Sequence, residues 1–178
     1  VTPTATAPSV PAVEGAIVFT DIVGFTEFTA AQGDEAALGL LAAQDRIVEE
    51  VIGGRGRRVK DLGDGLMLWF GDPCTAVRAS LTLQDRFEER TAQDGLPLWV
   101  RIGVHYGRPV QRGADLIGHD VNIAARLVDL AAPGEVLVSA ACVDPLRREA
   151  PDIRLEEIGP MVMKGIPEPV PVYRADWA

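Results

Sequence analysis

The stretch Phe19-Thr20-Asp21-Ile22-Val23-Gly24-Phe25-Thr26 decides how this chain is read. Ala16 to Ile22 is a short apolar, β-branched run, which reads as a buried strand. One acid, Asp21, closes the run, and a glycine with a threonine-flanked helix start follows at once. A carboxylate at a strand end beside exposed backbone amides is a place to hold a metal and a phosphate together. Some forty residues on, Val59-Lys60-Asp61-Leu62-Gly63-Asp64-Gly65 offers a second acid at a turn between two strand-like runs. Two hard oxygen donors at strand edges can share a divalent ion.

Working outward, strands and helices alternate. Gly33-Asp34-Glu35 opens a long amphipathic stretch with Leu38, Leu41, Ile47, Val48 and Val51 at helical spacing, and Gly53-Gly54 stops it. Arg57 to Leu62 and Leu66 to Phe70 flank Gly63-Asp64-Gly65, a hairpin signal because Asp-Gly supplies positive φ angles. Asp72-Pro73 caps a helix holding Val77, Leu81, Leu83 and Phe87. Leu98 to Val104 is the next strand, and Gly107 to Gly113 the turn and return of a second hairpin. A helix from His119 or Asp120 runs through Leu130 and ends near Pro133-Gly134, and Glu135 to Ser139, Ile153 to Ile158 and Val170 to Tyr173 finish as short strands. This order predicts an α/β fold, an α+β sandwich with one mostly antiparallel sheet covered by helices.

Composition narrows the class. The 178 residues suit one domain of ordinary size, and 47% hydrophobic with 24% charged residues is globular, not disordered. A net charge of -9 argues against a nucleic-acid or anionic-membrane binder, so an anionic ligand would need local cations. No apolar run approaches the roughly 20 residues that cross a bilayer. Cys74 and Cys142 form neither a CxxC pair nor a disulfide framework, which favours a reducing, cytoplasmic compartment. Residues 1–13 carry Pro3, Pro8 and Pro11 among Thr, Ala and Ser without a charge, and read as a linker or tail before a domain of residues 14–178. They lack the basic start and apolar centre of a signal peptide.

Taken singly, the polar candidates have plain readings. Asp21 serves as a helix cap or solvated strand-end acid, and Asp64 as an ordinary turn residue. On one continuous strand, Lys60 and Asp64 would share a face roughly 13 Å apart, at about 3.3 Å per residue. Asn122 and Arg126, spaced i and i+4, share a helical face with Asp129 nearby, opposite Val121, Ala124, Ala125, Val128 and Ala131. Such a stripe ordinarily faces water. His105 and His119 lack metal-ligand spacing and read as structural or capping residues. Gly53-Gly54-Arg55-Gly56 is no P-loop, because no Gly-Lys-Ser/Thr follows.

Together the residues resemble the catalytic domain of class III nucleotidyl cyclases, the adenylate and guanylate cyclase family. The resemblance runs from about residue 14 to residue 174. Its blocks are the two stretches above, then Arg101-Ile102-Gly103-Val104-His105-Tyr106-Gly107, then Asp115 through Gly118-His119-Asp120-Val121-Asn122-Ile123-Ala124-Ala125-Arg126-Leu127, then Met163-Lys164-Gly165-Ile166 with Tyr173. It implies a ferredoxin-like βαββαβ core with extra helices and a hairpin arm. Asp21 and Asp64 match the aspartates that hold two divalent ions, Mg2+ or Mn2+, with the carbonyl of Ile22. The amides of Gly24, Phe25 and Thr26 would receive phosphate oxygens. Lys60 and Asp115 match the purine-selecting pair, Asn122 the ribose-orienting residue and Arg126 the residue that stabilises the transferring phosphoryl group. Arg101 and Lys164 match basic positions that contact the polyphosphate.

The chemistry suits these types. Cyclisation needs the ribose 3′ hydroxyl to lose a proton and attack the α-phosphorus in line as pyrophosphate leaves. A metal-bound hydroxyl is far more acidic, so no dedicated protein base is required. Lysine only donates, which fits N1 of adenine, and ionised aspartate only accepts, which fits the 6-amino group; guanine presents the opposite pattern. The expected substrate is therefore ATP, and the expected product 3′,5′-cyclic AMP.

In the family, one domain gives the metal aspartates and another the purine, ribose and transition-state residues. Because this chain carries both sets, the resemblance implies a homodimer with two shared sites. A hairpin from about Arg101 to Gly113 is expected to extend toward the partner. A regulatory domain in a longer chain is compatible with this reading, whereas nucleic acid and direct membrane contact are not expected. The rival readings are a catalytically silent nucleotide-binding regulatory domain, a guanylate cyclase, and a metal-dependent phosphohydrolase that would release free phosphate.

Overall fold

The first strand, β1 (Gly15–Ile22), is buried along nearly its whole length because it lies in the middle of a seven-stranded sheet. The structure, a computed structural model, describes residues 11–178. After β1 come α1 (Phe25–Gln32), α2 (Asp34–Ile52), β2 (Gly56–Asp61), β3 (Gly65–Phe70), α3 (Pro73–Asp94) and β4 (Val100–Gly107). There follow β5 (Val110–Arg112), β6 (Asp115–Ile117), α4 (His119–Leu130) and β7 (Val136–Ser139). A 3-10 turn (Ala140–Cys142), α5 (Val143–Glu149), β8 (Ile153–Met161) and β9 (Val170–Trp177) complete the chain. The sheet order is β2-β3-β1-β4-β7-β9-β8, antiparallel throughout except for the β4–β7 pair. Its first four strands with α2 and α3 are the expected ferredoxin-like βαββαβ core.

Two apolar layers sandwich the sheet. Ala16, Val18 and Ile22 of β1 face a core shared with Leu40, Ile47 and Val51 of α2 and Val77, Leu83 and Phe87 of α3. Ile17 and Phe19 face the other way, into a cluster with Met67 of β3 and Ala124 and Val128 of α4. Side chains alternate along a strand, so Asp21 belongs with Ile17 and Phe19 on the α4 side. That parity decides on which face of the sheet any site around Asp21 must lie.

Local signals explain most boundaries. Asp72 caps α3, its Oδ1 accepting the Thr75 amide at 2.8 Å, with Pro73 in the first turn. Gly53 closes α2 in the left-handed region, at φ 47°. Within α2 the buried stripe is Ala37, Leu40, Ile47, Val48 and Val51, while Leu38, expected in the core, is 66% exposed. Leu38 lies a little too far round the helix to reach the sheet.

Four further expectations are corrected. No hairpin runs from Arg101 to Gly113, because β4 is already flanked by β1 and β7 and has no free edge for a returning strand. The hairpin is β5–β6, with Arg112 opposite Asp115. Lys60 and Asp64 do not share a strand: β2 is bulged between Arg58 and Lys60 and ends at Asp61. On α4 the buried residues are Ile123, Ala124, Leu127 and Val128, with Val121 and Ala125 only half-buried. The expected order lacks α5 and does not separate α1, whose start after Gly24 is legible, from α2, since seven or eight residues hold too few turns to show a period.

Of the expected linker, residues 1–10 lie outside the described residues. Pro11 to Val13 run beside β5, where Gln111 donates its amide to Pro11 O at 2.9 Å and Val13 donates to Pro109 O at 3.1 Å. Among the described residues no helix is long and apolar enough to cross a membrane.

Candidate active site

Asp21 stands at the end of β1, with Arg101 of β4 directly opposite in the antiparallel register and Gly65 of β3 on the other side. A Cβ on Gly65 would fall 2.3 Å from the Thr20 carbonyl, so only glycine lets the β2–β3 turn close onto β1 here. Asp64 is thereby brought beside Asp21. The Ile22 amide donates to Asp64 O at 3.2 Å, and the turn closes through Leu62 N to Gly65 O at 2.9 Å, with Gly63 at φ 82°. Burial, then the neighbouring Asp21 charge, push the Asp64 carboxyl above its ordinary range, and Arg101 pulls it partly back. Two crowded carboxylates with a mutual repulsion are a donor set that suits a hard divalent cation. Among the described residues no three His, Cys, Asp or Glu side chains gather as a cation site, so further ligands would be main-chain or substrate oxygens.

Gly24 follows in the left-handed region, φ 75°, and begins α1 without a side-chain cap. The first-turn amides of Phe25 and Thr26 therefore have no side-chain acceptor from the cap position.

Arg101 donates from Nε to Asp21 Oδ2 at 2.8 Å and approaches the same oxygen with Nη2 at 2.7 Å. Its Nη1 also donates to Asp129 O at 3.2 Å. Asp129 in turn lies 3.5 Å from Arg126 Nη1, while Arg126 Nε donates to Lys164 O at 3.1 Å. A chain of alternating charge thus links Asp21 to Arg126. It borders a cleft of about 300 Å³ whose lining includes Asp21, Leu62, Arg101, Asn122, Arg126 and Asp129.

Lys60 and Asp115 meet elsewhere, at the β2–β6 contact. Lys60 Nζ donates to Asp115 Oδ2 at 3.0 Å, and Asp115 Oδ1 accepts the Leu116 amide at 2.8 Å. The lysine hydrogen bond holds the Asp115 carboxyl below its ordinary range. Neither residue lines the cleft around Asp21.

A sequence model of the adenylate and guanylate cyclase catalytic domain matches residues 9–174. The chain belongs to this family. Among its relatives, an uncharacterized protein of Mycobacterium tuberculosis is 37% identical to this cyclase domain over 158 residues, 88% of this chain and 40% of the relative. An adenylate cyclase of Streptomyces coelicolor is 34% identical over 139 residues, 76% of this chain and 35% of the relative. The cyclase domain thus spans less than half the length of these curated relatives. The crystal structure of the adenylyl cyclase CyaB from P. aeruginosa shares the fold, with a TM-score of 0.81 at 23% identity, covering 96% of this chain and 97% of that one.

Sequence reasoning placed Asp21, Asp64, Arg101, Asn122 and Arg126 as candidates, and folding gathers them on the α4 side of one sheet. It did not anticipate that Arg101 grips Asp21, or that Asp129 bridges two arginines. The spacing of Arg126 and Asp129 hinted at the second. Nothing local could reveal the first, because its partners lie on strands 80 residues apart.

Proposed function

We propose that this cyclase domain is an adenylate cyclase, converting ATP to 3′,5′-cyclic AMP and pyrophosphate. The observation that carries the reading is the Lys60–Asp115 pair, a donor-only group 3.0 Å from an acceptor-only group. When the two turn to a base, Lys60 offers a proton to N1 of adenine and Asp115 accepts from the 6-amino group, whereas guanine would meet donor with donor and acceptor with acceptor. The name of the Streptomyces coelicolor relative supports the same choice.

In this reading Asp21, Asp64 and the Ile22 carbonyl hold two divalent ions, Mg2+ or Mn2+. Bound there, the ions would acidify the ribose 3′ hydroxyl and offset charge on the leaving pyrophosphate. Asn122 orients the ribose for in-line attack. Arg126, planar and permanently charged, stabilises the phosphoryl oxygens as they gain charge. Arg101 and Lys164 hold the polyphosphate, and the amides from Gly24 to Thr26 receive its oxygens. Lys60 and Asp115 lie outside the cleft that contains Asp21, which supports a homodimer in which one copy gives the metal aspartates and the other the purine, ribose and transition-state residues. The free, buried Cys74 and Cys142 support a reducing, cytoplasmic setting.

Chromatographic separation of products from ATP and from GTP, with Mn2+ and across a protein concentration series, tests substrate, reaction and dimer dependence together. Cyclic AMP with pyrophosphate, formed at a rate per chain that rises with concentration, is the expected result. Free phosphate, or equal turnover of both nucleotides, would refute it.

A further inference from the structure

The side of β4 that faces α4 reads Arg101, Gly103, His105, Gly107, every second residue of the strand. A Cβ on Gly103 would stand 2.6 Å from Val128 N and 2.8 Å from Leu127 Cβ, and one on Gly107 would stand 2.4 Å from Asp120 Cγ. The two glycines therefore let α4 lie directly on the strand. Between them His105, only 6% exposed, reaches both ways. Its Nε2 is 2.9 Å from Asp120 Oδ1, and its Nδ1 is 2.6 Å from Ser139 Oγ at the end of β7. The second Asp120 oxygen accepts the Arg108 amide at 2.7 Å. Both oxygens of a residue in the first turn of α4 are thus fixed by β4 and its exit. This matters because Gly118 supplies α4 with no side-chain cap.

Burial pushes the His105 ring below its ordinary range, so the ring is neutral. Against its own burial, the Arg108 amide and His105 hold the Asp120 carboxyl below the usual range, so it is ionised. One tautomer satisfies every group: Nε2–H donates to Asp120, and Nδ1 accepts from the Ser139 hydroxyl. Acid, imidazole and hydroxyl stand in the order of a nucleophilic relay, yet Ser139 is 1% exposed and meets no substrate. What the network can deliver is orientation.

We propose that His105, Asp120 and Ser139 are positioning residues for the cyclisation, locking the first turn of α4 and with it Asn122 and Arg126. The inference rests on the roles given to Asn122 and Arg126 above. Asn122 is two residues beyond Asp120, and Arg126 lies about one turn further along the same helix. A small tilt of α4 would misplace both against the ribose and the α-phosphate, and misplacement by about 1 Å can cost on the order of 100-fold in rate.

The test uses the purified chain with Mn2+ and ATP, and compares Asp120→Ala, Asp120→Asn, Asn122→Ala and the double variant Asp120→Ala/Asn122→Ala. Asp120→Ala is expected to lower kcat about 30- to 100-fold with KM changed by less than about threefold. Asp120→Asn should recover at least about tenfold of that loss, since its amide can accept from Arg108 and donate to His105 in the other tautomer. The double variant should lose clearly less than the product of the two single losses, because part of the Asp120→Ala loss runs through Asn122 and only the part that runs through Arg126 remains. Wild-type kcat in Asp120→Ala, no recovery in a folded Asp120→Asn, or multiplying losses in the double variant would each overturn the proposal. If Asp120→Ala does not fold, Ser139→Ala takes its place, with an expected kcat loss of about three- to tenfold; no loss there also overturns it. Wild-type kcat in Asn122→Ala would show instead that the underlying reading of Asn122 is wrong, and the proposal would fall with it.

Discussion

Arg101 holds Asp21 across the two central strands, its Nε and Nη2 2.8 and 2.7 Å from one carboxylate oxygen. With side chains only 27% and 25% exposed, the pair is partly shielded from solvent, but screening still limits its contribution to roughly 1 kcal/mol. Asp21→Asn should therefore lower the melting temperature by only about 2–4 °C. Turnover should fall about 100- to 1000-fold, because a carboxylate that would hold the cations is gone. Calorimetry beside a product assay checks both; equal losses of fold and turnover would make Asp21 structural.

Gly65 predicts a sharper effect on stability. Gly65→Ala drives a Cβ to 2.3 Å from the Thr20 carbonyl, a backbone atom that cannot swing aside. A loss of about 1–3 kcal/mol in urea unfolding is expected, with activity falling as Asp64 moves away from Asp21. Gly71→Ala is the control, since nothing lies within 4 Å of its Cβ position.

Reversing the polarity of the purine pair should reverse the preference. Lys60→Glu with Asp115→Cys replaces the donor with an acceptor and removes the fixed acceptor. The kcat/KM ratio of GTP to ATP should rise by more than about tenfold, the equivalent of one hydrogen bond. An unchanged ratio would place the purine elsewhere.

Complementation tests the shared site. Asp21→Ala and Lys60→Ala should each be inactive, and an equal mixture should regain about a quarter of wild-type activity. Half the dimers are then mixed, and each mixed dimer has one intact site of two. No recovery despite heterodimers detected by native mass spectrometry would exclude the arrangement.

The buried His105 predicts a pH dependence of stability. Its folded pKa lies below the ordinary 6.5, mainly through burial, with Asp120 opposing and His119 adding to the shift. As pH falls below about 6.5 the unfolded chain takes up this proton first, so the stability owed to neutral His105 is present above that pH and lost beneath it. The melting temperature should drop between pH 7.5 and 5.5, and less steeply in His105→Gln. Parallel slopes would mean that other groups govern the acid limb.

Sequence and structure divide the site unevenly. The β1 strand, the turn around Gly63 and the capped α3 were legible because their signals are local: an apolar run, a glycine that takes positive φ, though at Gly63 rather than in the Asp64-Gly65 step, and an aspartate before proline. The β5–β6 hairpin was misplaced for the opposite reason. Which strand receives the chain after Gly107 depends on β7 having already taken the free edge of β4, and that edge is claimed by residues about thirty positions later.

By itself, the sequence determined the family and singled out the candidate residues for its chemistry, since oxygen donors, glycines and helix faces are written in residue type and spacing. Only the tertiary structure decided that Asp21 is held by Arg101, that Lys60 turns to Asp115 rather than to the cleft, and that α4 is seated on β4 through Asp120 and His105. These are contacts between residues far apart along the chain, and their geometry follows from strand parity and from glycines that permit close approach.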